Sequence, residues 1–134
     1  MVLKKSQLTN LNKKIDPKIS SMIEPAGIAQ YCIDRARINK NLENKILILG
    51  CGAIGMLISS LLNSMGIKDI TVLDKNDNRL NYAKKNFKAR KLIKLNLNKF
   101  INPKKNNYSH VFDLITNNES FDYGIKATIT SGRY

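Results

Sequence analysis

The sequence is poor in the residues that most often carry catalysis or crosslinks. Its 134 residues include one histidine, two cysteines, three prolines and no tryptophan. Cys32 and Cys51 form neither a CxxC pair nor a cluster with His110, so the pattern of a structural zinc site is missing and a reducing, cytoplasmic location is the default. His110 has no nucleophile or acid near it in the sequence and is expected at the surface. We therefore predict no catalytic residue in this chain.

Acidic residues are also scarce. Ten Asp and Glu face 23 Lys and Arg, which gives a formal net charge of +13. The basic residues are spread along the chain rather than gathered in one patch, so a nucleic-acid partner is disfavoured, although the charge would help attract an anionic cofactor. The hydrophobic content of 43% and charged content of 25% are typical of a globular domain.

Long apolar segments of the targeting or membrane kind are not evident. The amino-terminal residues are polar and lysine-rich and lack the apolar core of a signal peptide. Residues 46–67 carry no charge, but three glycines break the first half and the second half has a polar face opposite an apolar one. That division favours a helix packed on a sheet over a membrane span, so we expect no membrane partner.

Apolar runs alternate with amphipathic stretches along most of the chain. Pro25 is expected to open a helix whose apolar stripe includes Ile28, Cys32 and Ile33. Strands are predicted at 45–49, 69–73, 91–95 and 111–115, helices at about 53–65 and 77–87, a polar loop at 96–109, a short helix with Phe121 and Ile125, and a further strand beginning near residue 131. This order predicts an α/β fold, a Rossmann-like doubly wound parallel sheet that is truncated at its C-terminal strands. Residues 1–20 are expected to be a tail or connector, and 21–134 a partial NAD(P)-binding domain.

The strongest local motif is a GxGxxG sequence at residues 50–55, Gly-Cys-Gly-Ala-Ile-Gly. It follows an apolar strand and precedes an amphipathic helix, which is the context that a dinucleotide fingerprint requires. Gly50 would permit the tight turn, Gly52 would let a pyrophosphate approach the backbone, and Gly55 would let the helix pack on the sheet. The free amides at the helix start, near Ala53 and Ile54, would bind the phosphates. A tight turn without a ligand is the alternative.

Asp74 ends the second predicted strand at the distance from the glycines that the fingerprint expects. A carboxylate there would accept hydrogen bonds from the adenosine ribose and repel the extra phosphate of NADP, so NAD is favoured over NADP. Lys75 and Arg79 are near enough to soften that repulsion. Asp74 would otherwise serve as the cap of the next helix, a role that Asn76 or Asp77 could equally fill.

Several ordered segments resemble the zinc-containing medium-chain dehydrogenases, and the polyol and threonine dehydrogenase branch looks most similar. These segments are Glu24-Pro25, Asp34-Arg35-Ala36, KILILGCGAIGMLI from Lys45, VLDKNDNRLNYAKK from Val72, VFDLITNNESF from Val111, and Ser131-Gly132-Arg133. The resemblance implies a cofactor site that includes Gly50, Gly52, Ala53, Ile54, Gly55, Asp74, Lys75, Arg79 and Thr116. It also implies that Glu24 lies near the catalytic zinc of the complete enzyme, whereas helix-dipole complementarity would explain the same residue without a metal.

The chain departs from that family in what surrounds these segments. No zinc-ligand cysteine and no Gly-His-Glu segment precede Glu24, and Asn117 replaces a glycine common near the nicotinamide. We therefore expect the cofactor portion of an oxidoreductase that uses NAD(P) and a secondary alcohol such as a polyol or sugar derivative. It would be inactive alone and would need a complementary catalytic chain or form a homo-oligomer. A non-catalytic nucleotide-binding or assembly module is the alternative.

Overall fold

The computed structural model describes residues 4–7, 10–11, 14–39, 41–87, 89–95 and 107–134. A 3-10 turn at Lys5–Gln7 precedes five helices and five strands within these residues. The helices are α1 (Pro17–Ser20), α2 (Ile23–Ala36), α3 (Ala53–Ser64), α4 (Asp77–Phe87) and α5 (Asn118–Ala127); the strands are β1 (Ile46–Leu49), β2 (Ile70–Asp74), β3 (Lys91–Lys94), β4 (Tyr108–Asp113) and β5 (Thr128–Arg133). Among the described helices, none is long and apolar enough to span a bilayer.

The strands form one parallel sheet in the order β3-β2-β1-β4-β5. The central strand β1 is buried along its whole length, as the continuous Ile-Leu-Ile-Leu run predicts for a strand covered on both faces. After β3, at one edge of the sheet, the chain crosses back to β4 on the other side of β1, so the strand order changes direction between β1 and β4. This arrangement confirms the predicted Rossmann-like α/β fold, and it places the ends of β1, β2 and β4 at one carboxyl edge.

Two apolar clusters cover the two faces of the sheet. The larger cluster joins β1 and β2 to helices α2, α3 and α4 through residues such as Ile33, Ile48, Ile58 and Leu80. The smaller one joins the opposite face to α5 through residues such as Leu47, Val111 and Tyr123. The sheet is therefore the middle of three layers, and both core faces are built from alternate residues of the same strands.

The fourth strand lies earlier in the sequence than the apolar run at 111–115 predicts. It begins at Tyr108, which is buried, so the end of the predicted 96–109 loop belongs to the strand. It ends at Asp113 because the Asp113 carboxylate accepts hydrogen bonds from the backbone N–H groups of Ile115 and Thr116, which turns the chain. Residues 96–106 of the predicted loop lie outside the described residues.

The buried faces of α2 and α5 include residues that the sequence pattern does not identify. Phe121 and Ile125, which suggested the helix after β4, are half exposed, and α5 instead buries Ser120, Tyr123, Gly124 and Ala127. In α2, Ile28 is exposed while Ala29 and Ile33 are buried. Ile33 of the predicted stripe is thus a core residue, and the buried set of α5 combines the large Tyr123 with the small Ser120, Gly124 and Ala127.

The two ends of the predicted domain differ in detail from the expectation. Helix α2 begins at Ile23, so Pro25 lies in its first turn rather than at its first residue. The strand expected near residue 131 is β5, which begins at Thr128 and pairs with β4. Short helical segments, Lys5–Gln7 and α1, occur within the predicted tail, and the boundary at residue 21 stays a prediction.

Helix α3 is followed by a glycine in the left-handed conformation. Gly66 has a φ of +91° and its N–H donates to the Asn63 carbonyl, while the Ile67 N–H donates to the Leu62 carbonyl. These two bonds form a Schellman motif that satisfies carbonyls at the helix end. The motif directs the chain into β2 and so fixes where Asp74 lies.

Candidate functional site

Two of the three fingerprint glycines are required by the fold itself. Gly50 has a φ of +98°, and its N–H donates to the Leu73 carbonyl at 2.8 Å. A Cβ added at Gly55 would lie 2.2 Å from the Gly50 carbonyl oxygen, which is too close for any side chain. Gly50 therefore makes the turn and Gly55 lets α3 rest on it, as the motif predicts.

Gly52 is different because nothing in the described part of the chain requires it to be a glycine. Its φ of −78° and ψ of −169° are ordinary extended values, and a Cβ added there would meet no atom within 4 Å. It is the N-cap residue of α3, and no side chain forms a cap hydrogen bond at this helix start. The first-turn amides of a helix, here those of Ala53, Ile54 and Gly55, have no partners inside the helix.

Asp74 lies directly beside this turn. Its side chain is nearly buried, and one carboxylate oxygen accepts a hydrogen bond from the Cys51 N–H at 2.7 Å. The other oxygen accepts the Asn76 N–H at 2.8 Å. Asp74 thus ties the glycine turn after β1 to the end of β2. Since an ionised carboxylate has about four acceptor positions, two remain for another donor.

The charges around Asp74 are mixed. An Arg79 guanidinium nitrogen lies 3.8 Å from the Asp74 carboxylate, and the Arg79 side chain is 54% exposed. Lys75 is exposed at the next position in the chain. The cap of α4 is Asn76, whose side-chain oxygen accepts the N–H groups of Asn78 and Arg79. Asp74 is therefore not needed as the cap, and its carboxylate lies at the turn together with a mobile positive charge.

The thiol of Cys51, between the first two glycines, is buried and unreactive. Cys51 is 1% exposed, and burial, followed by the negative charge of Asp74, raises the pKa of its thiol to about 11. A protonated, buried thiol behaves as a small apolar residue. This outcome favours the structural interpretation of Cys51 over a reactive thiolate at the helix start.

The end of β4 forms the neighbouring part of the carboxyl edge. Ile115 reaches the glycine turn, since a Cβ on Gly50 would lie 3.3 Å from Ile115 Cγ1. Thr116 follows with a φ of +57°, a left-handed conformation that is unusual for a β-branched residue. Thr116 therefore lies near the glycine turn, and its role in binding a cofactor stays a prediction.

Asp113 organises this second turn, which the sequence did not reveal. Burial works to raise its pKa, but hydrogen bonds from Ser120, Tyr134, Thr116 and Ile115 outweigh burial, and the pKa is lowered. Asp113 therefore stays ionised. The sequence does carry a signal for the start of α5 after this turn, since Asn117 and Ser120 form a capping box there.

Tyr134 closes the same turn from the end of β5. Its hydroxyl donates to Asp113 Oδ2 at 2.6 Å, and its ring packs edge-on against Phe121 with centroids 5.2 Å apart. Burial, then the hydrogen bond to Asp113, raises the pKa of Tyr134, so its hydroxyl remains a donor.

Glu24 lies apart from these turns, exposed in the first turn of α2. In the part of the chain that the structure describes, no group of three or more His, Cys, Asp or Glu side chains is placed to hold a metal ion. The described donors therefore do not form a zinc site, and the predicted link between Glu24 and a metal stays a prediction.

Comparison with known families matches the segment that carries this site. The family model for ketopantoate reductase PanE/ApbA matches residues 46–128, from β1 to the start of β5. The chain belongs to the ketopantoate reductase PanE/ApbA family. The PanE/ApbA segment includes the glycine turn, Asp74 and Thr116, so it contains every predicted cofactor residue.

Individual relatives of this PanE/ApbA segment are dehydrogenases. The chain is 34% identical over 71 residues to an L-threonine 3-dehydrogenase from Bacillus velezensis, which covers 53% of this chain and 20% of that enzyme. This relative agrees with the resemblance to threonine dehydrogenases that the sequence motifs carry. The family model and the relative thus carry different names.

Solved structures similar to the chain confirm its fold. L-idonate 5-dehydrogenase from Escherichia coli superposes with a TM-score of 0.80 at 22% identity, covering 98% of this chain and 38% of that one. Acetophenone reductase from Geotrichum candidum, solved with NAD, gives a TM-score of 0.78 at 22% identity, and the match covers 92% of this chain and 35% of that protein. The chain therefore spans between a fifth and two fifths of these proteins.

Proposed function

We propose that this chain is the dinucleotide-binding portion of an oxidoreductase, with its cofactor at the glycine turn. The observation that carries the proposal is Gly52, whose missing side chain leaves open space that no part of the described fold needs. That space lies at the uncapped start of α3, where amides and the helix dipole favour an anion. Gly52 is explained if a pyrophosphate approaches the backbone there.

The residues that would hold the cofactor are those the sequence predicts. Gly50 and Gly55 shape the turn, the amides at Gly52, Ala53 and Ile54 would face the phosphates, and Asp74 would accept from the adenosine ribose. Thr116, at the end of β4, would lie at the nicotinamide side. The bound dinucleotide would supply or accept a hydride, while this chain binds it and fixes its orientation.

NAD is the proposed cofactor, and NADP is disfavoured. The Asp74 carboxylate has acceptor capacity left at the turn, which suits the hydroxyls of an unmodified ribose. Arg79 and Lys75 weaken this preference, since both could pair with an extra phosphate. Arg79 also covers the Asp74 carboxylate, so ribose binding would require the half-exposed Arg79 side chain to move aside.

The complete protein is proposed to transfer hydride between NAD and a secondary alcohol. The support is the L-threonine 3-dehydrogenase relative and the L-idonate 5-dehydrogenase fold. We further propose the zinc-containing medium-chain class, on the ordered motifs from Glu24 to Arg133. The described residues form no metal site, so no metal step is assigned to them, and catalysis would need parts outside this chain.

The family match favours a second candidate, reduction of a ketone as in ketopantoate reductase. Both candidates use hydride exchange at a carbonyl carbon, so the cofactor site is the same and the substrate site differs. Activity assays with the chain alone would not separate them, whereas the cofactor proposal can be tested directly.

The test is titration of the purified chain with NADH and with NADPH, followed by protein-to-cofactor fluorescence transfer or calorimetry. We expect saturable binding with NADH tighter than NADPH. Arg79→Gln should widen that preference because it removes a partner for the extra phosphate, and Asp74→Asn should narrow it because it removes the repelling charge. Absence of saturable binding by either nucleotide would refute the proposal. Equal affinities would refute the NAD preference alone.

A further inference from the structure

A second concave surface lies between α2 and the β4–β5 side of the sheet, and its lining residue Leu114 also contacts the glycine turn. This α2–β4 groove has a volume of about 540 Å³ and is lined by α2 from Tyr31, by β4 from His110, and by Arg133 and Tyr134. Its size is within the range of sites for small organic ligands. The groove has an apolar base that includes Cys32 and Phe112.

Three basic side chains line this groove: Arg35, His110 and Arg133. Neither arginine takes part in an ion pair within the described part of the chain. His110 and Arg133 are register partners on neighbouring strands, and the His110 Nδ1 lies 3.0 Å from Ser109 Oγ. The charges of the two arginines therefore lie at one cavity, beside the His110 ring.

The groove lining also includes one anion, Asp113, which offsets one of the two arginine charges. Asp113 already accepts from Ile115, Thr116, Ser120 and Tyr134 at the end of β4. Its oxygens are therefore directed to the turn rather than to the arginines. The groove keeps an excess of positive charge over an apolar floor, with the rings of Tyr31 and Tyr134 among its lining side chains.

We propose that the α2–β4 groove binds a compact organic anion with an aromatic or apolar body. Arg35 and Arg133 would pair with its carboxylate, sulfonate or phosphate, because guanidinium groups bind such anions through paired hydrogen bonds. The apolar base would take up its body, and the tyrosine rings would pack against it. The proposal is independent of the dinucleotide site.

The two sites do not share residues. None of residues 50–55 or 74–79 lines the groove, and the glycine turn belongs to β1 and α3 rather than to α2. A dinucleotide and the groove anion should therefore bind at the same time.

Binding is tested with anilinonaphthalene sulfonate, a fluorescent aromatic anion, and with phenylnaphthylamine, its uncharged analogue. We expect saturable sulfonate binding that raises the thermal midpoint of the folded chain. Arg35→Gln and Arg133→Gln should each weaken sulfonate binding about tenfold, since each removes a charged hydrogen-bond donor. Both should leave phenylnaphthylamine binding within about twofold.

Lys126→Gln is the matched control, because it also removes one positive charge but lies in the last turn of α5 and does not line the groove. It should leave sulfonate affinity unchanged, and thermal unfolding should show that all three variants are folded. Equal weakening by Lys126→Gln, or displacement of the sulfonate by NAD, would overturn the proposal. So would sulfonate binding that neither arginine variant weakens.

Discussion

Replacing Gly52 with alanine separates what the cofactor needs from what the fold needs. A Cβ at Gly52 meets no protein atom within 4 Å and the backbone there is extended, so we expect the free energy of unfolding to change by less than about 0.5 kcal/mol. The added methyl group would occupy the space proposed for the pyrophosphate. Loss of one charge-assisted hydrogen bond contributes about 1.5–3 kcal/mol, so nucleotide affinity should fall about 10- to 100-fold.

Two alanine substitutions provide the comparison. Gly55→Ala places a Cβ 2.2 Å from the Gly50 carbonyl oxygen, and backbone must move, so we expect a loss of about 3 kcal/mol or more of stability. Gly27→Ala lies in α2 with open space around it and should raise stability slightly without affecting binding.

Urea unfolding and NADH titration of the three variants measure both effects. If Gly52→Ala binds NADH as tightly as the unchanged chain, the explanation of Gly52 by a cofactor is refuted. If Gly52→Ala is as unstable as Gly55→Ala, the claim that open space surrounds Gly52 is refuted.

Four further predictions concern single residues. Ser59→Ala should raise the unfolding free energy by about 1 kcal/mol in urea, because the buried Ser59 hydroxyl has no hydrogen-bond partner; a loss of stability would contradict this. Thr116→Asn should raise the free energy of unfolding by about 1 kcal/mol, because asparagine tolerates the left-handed backbone better than threonine. An unchanged free energy of unfolding would show that the turn is unstrained. With an alkylating reagent near pH 8, Cys51 should have a thiolate fraction about a hundredfold below that of an ordinary thiol, since its pKa is about 11 rather than 9.0; mass spectrometry should show Cys32 modified first. Burial, then the neighbouring Arg133, lowers the pKa of His110, so the unfolded chain binds a proton at this residue before the folded chain does and the free energy of unfolding should decrease as the pH falls below 6.5. Unfolding curves at successive pH values should show a smaller decrease for His110→Gln. An equal decrease in both proteins would refute the lowered pKa.

The central part of the fold could be predicted from sequence because its signals are local. The Ile46–Leu49 run and the glycine turn identify β1 and α3, and Gly66 gives the end of that helix. Continuous burial and helix periodicity are properties of neighbouring residues, so they can be recognised without knowing the tertiary contacts.

The β4–β5 half of the sheet was harder to predict because the ends of its strands depend on residues that are distant in the sequence. Tyr108 is buried by the second cluster, and Asp113 ends β4 through contacts that include Tyr134, 21 residues away. Phe121 and Ile125 indicate this helix but not its buried face, where Gly124 packs closely against the Tyr134 ring. Hydrophobicity alone does not reveal such a fit.

The sequence predicts which residues lie together at the candidate site, but not the contacts between them. The spacing from the glycines to Asp74 indicates a shared edge of the sheet. The hydrogen bond from the Cys51 N–H to Asp74, and the position of Arg79 over that carboxylate, follow from side-chain geometry that no spacing specifies. These contacts are why Asp74 has a structural role at the turn as well as a proposed one in binding.

The central claim, that a dinucleotide lies on the glycine turn, is tested most directly by amide chemical shifts during titration with NAD. The account predicts progressive, saturable shifts at Gly52, Ala53, Ile54 and Gly55, with smaller shifts at Asp74 and its neighbours and at Thr116. Amides lining the α2–β4 groove should change little. Saturable shifts that leave residues 50–55 unmoved, or no shifts at millimolar NAD, would contradict it.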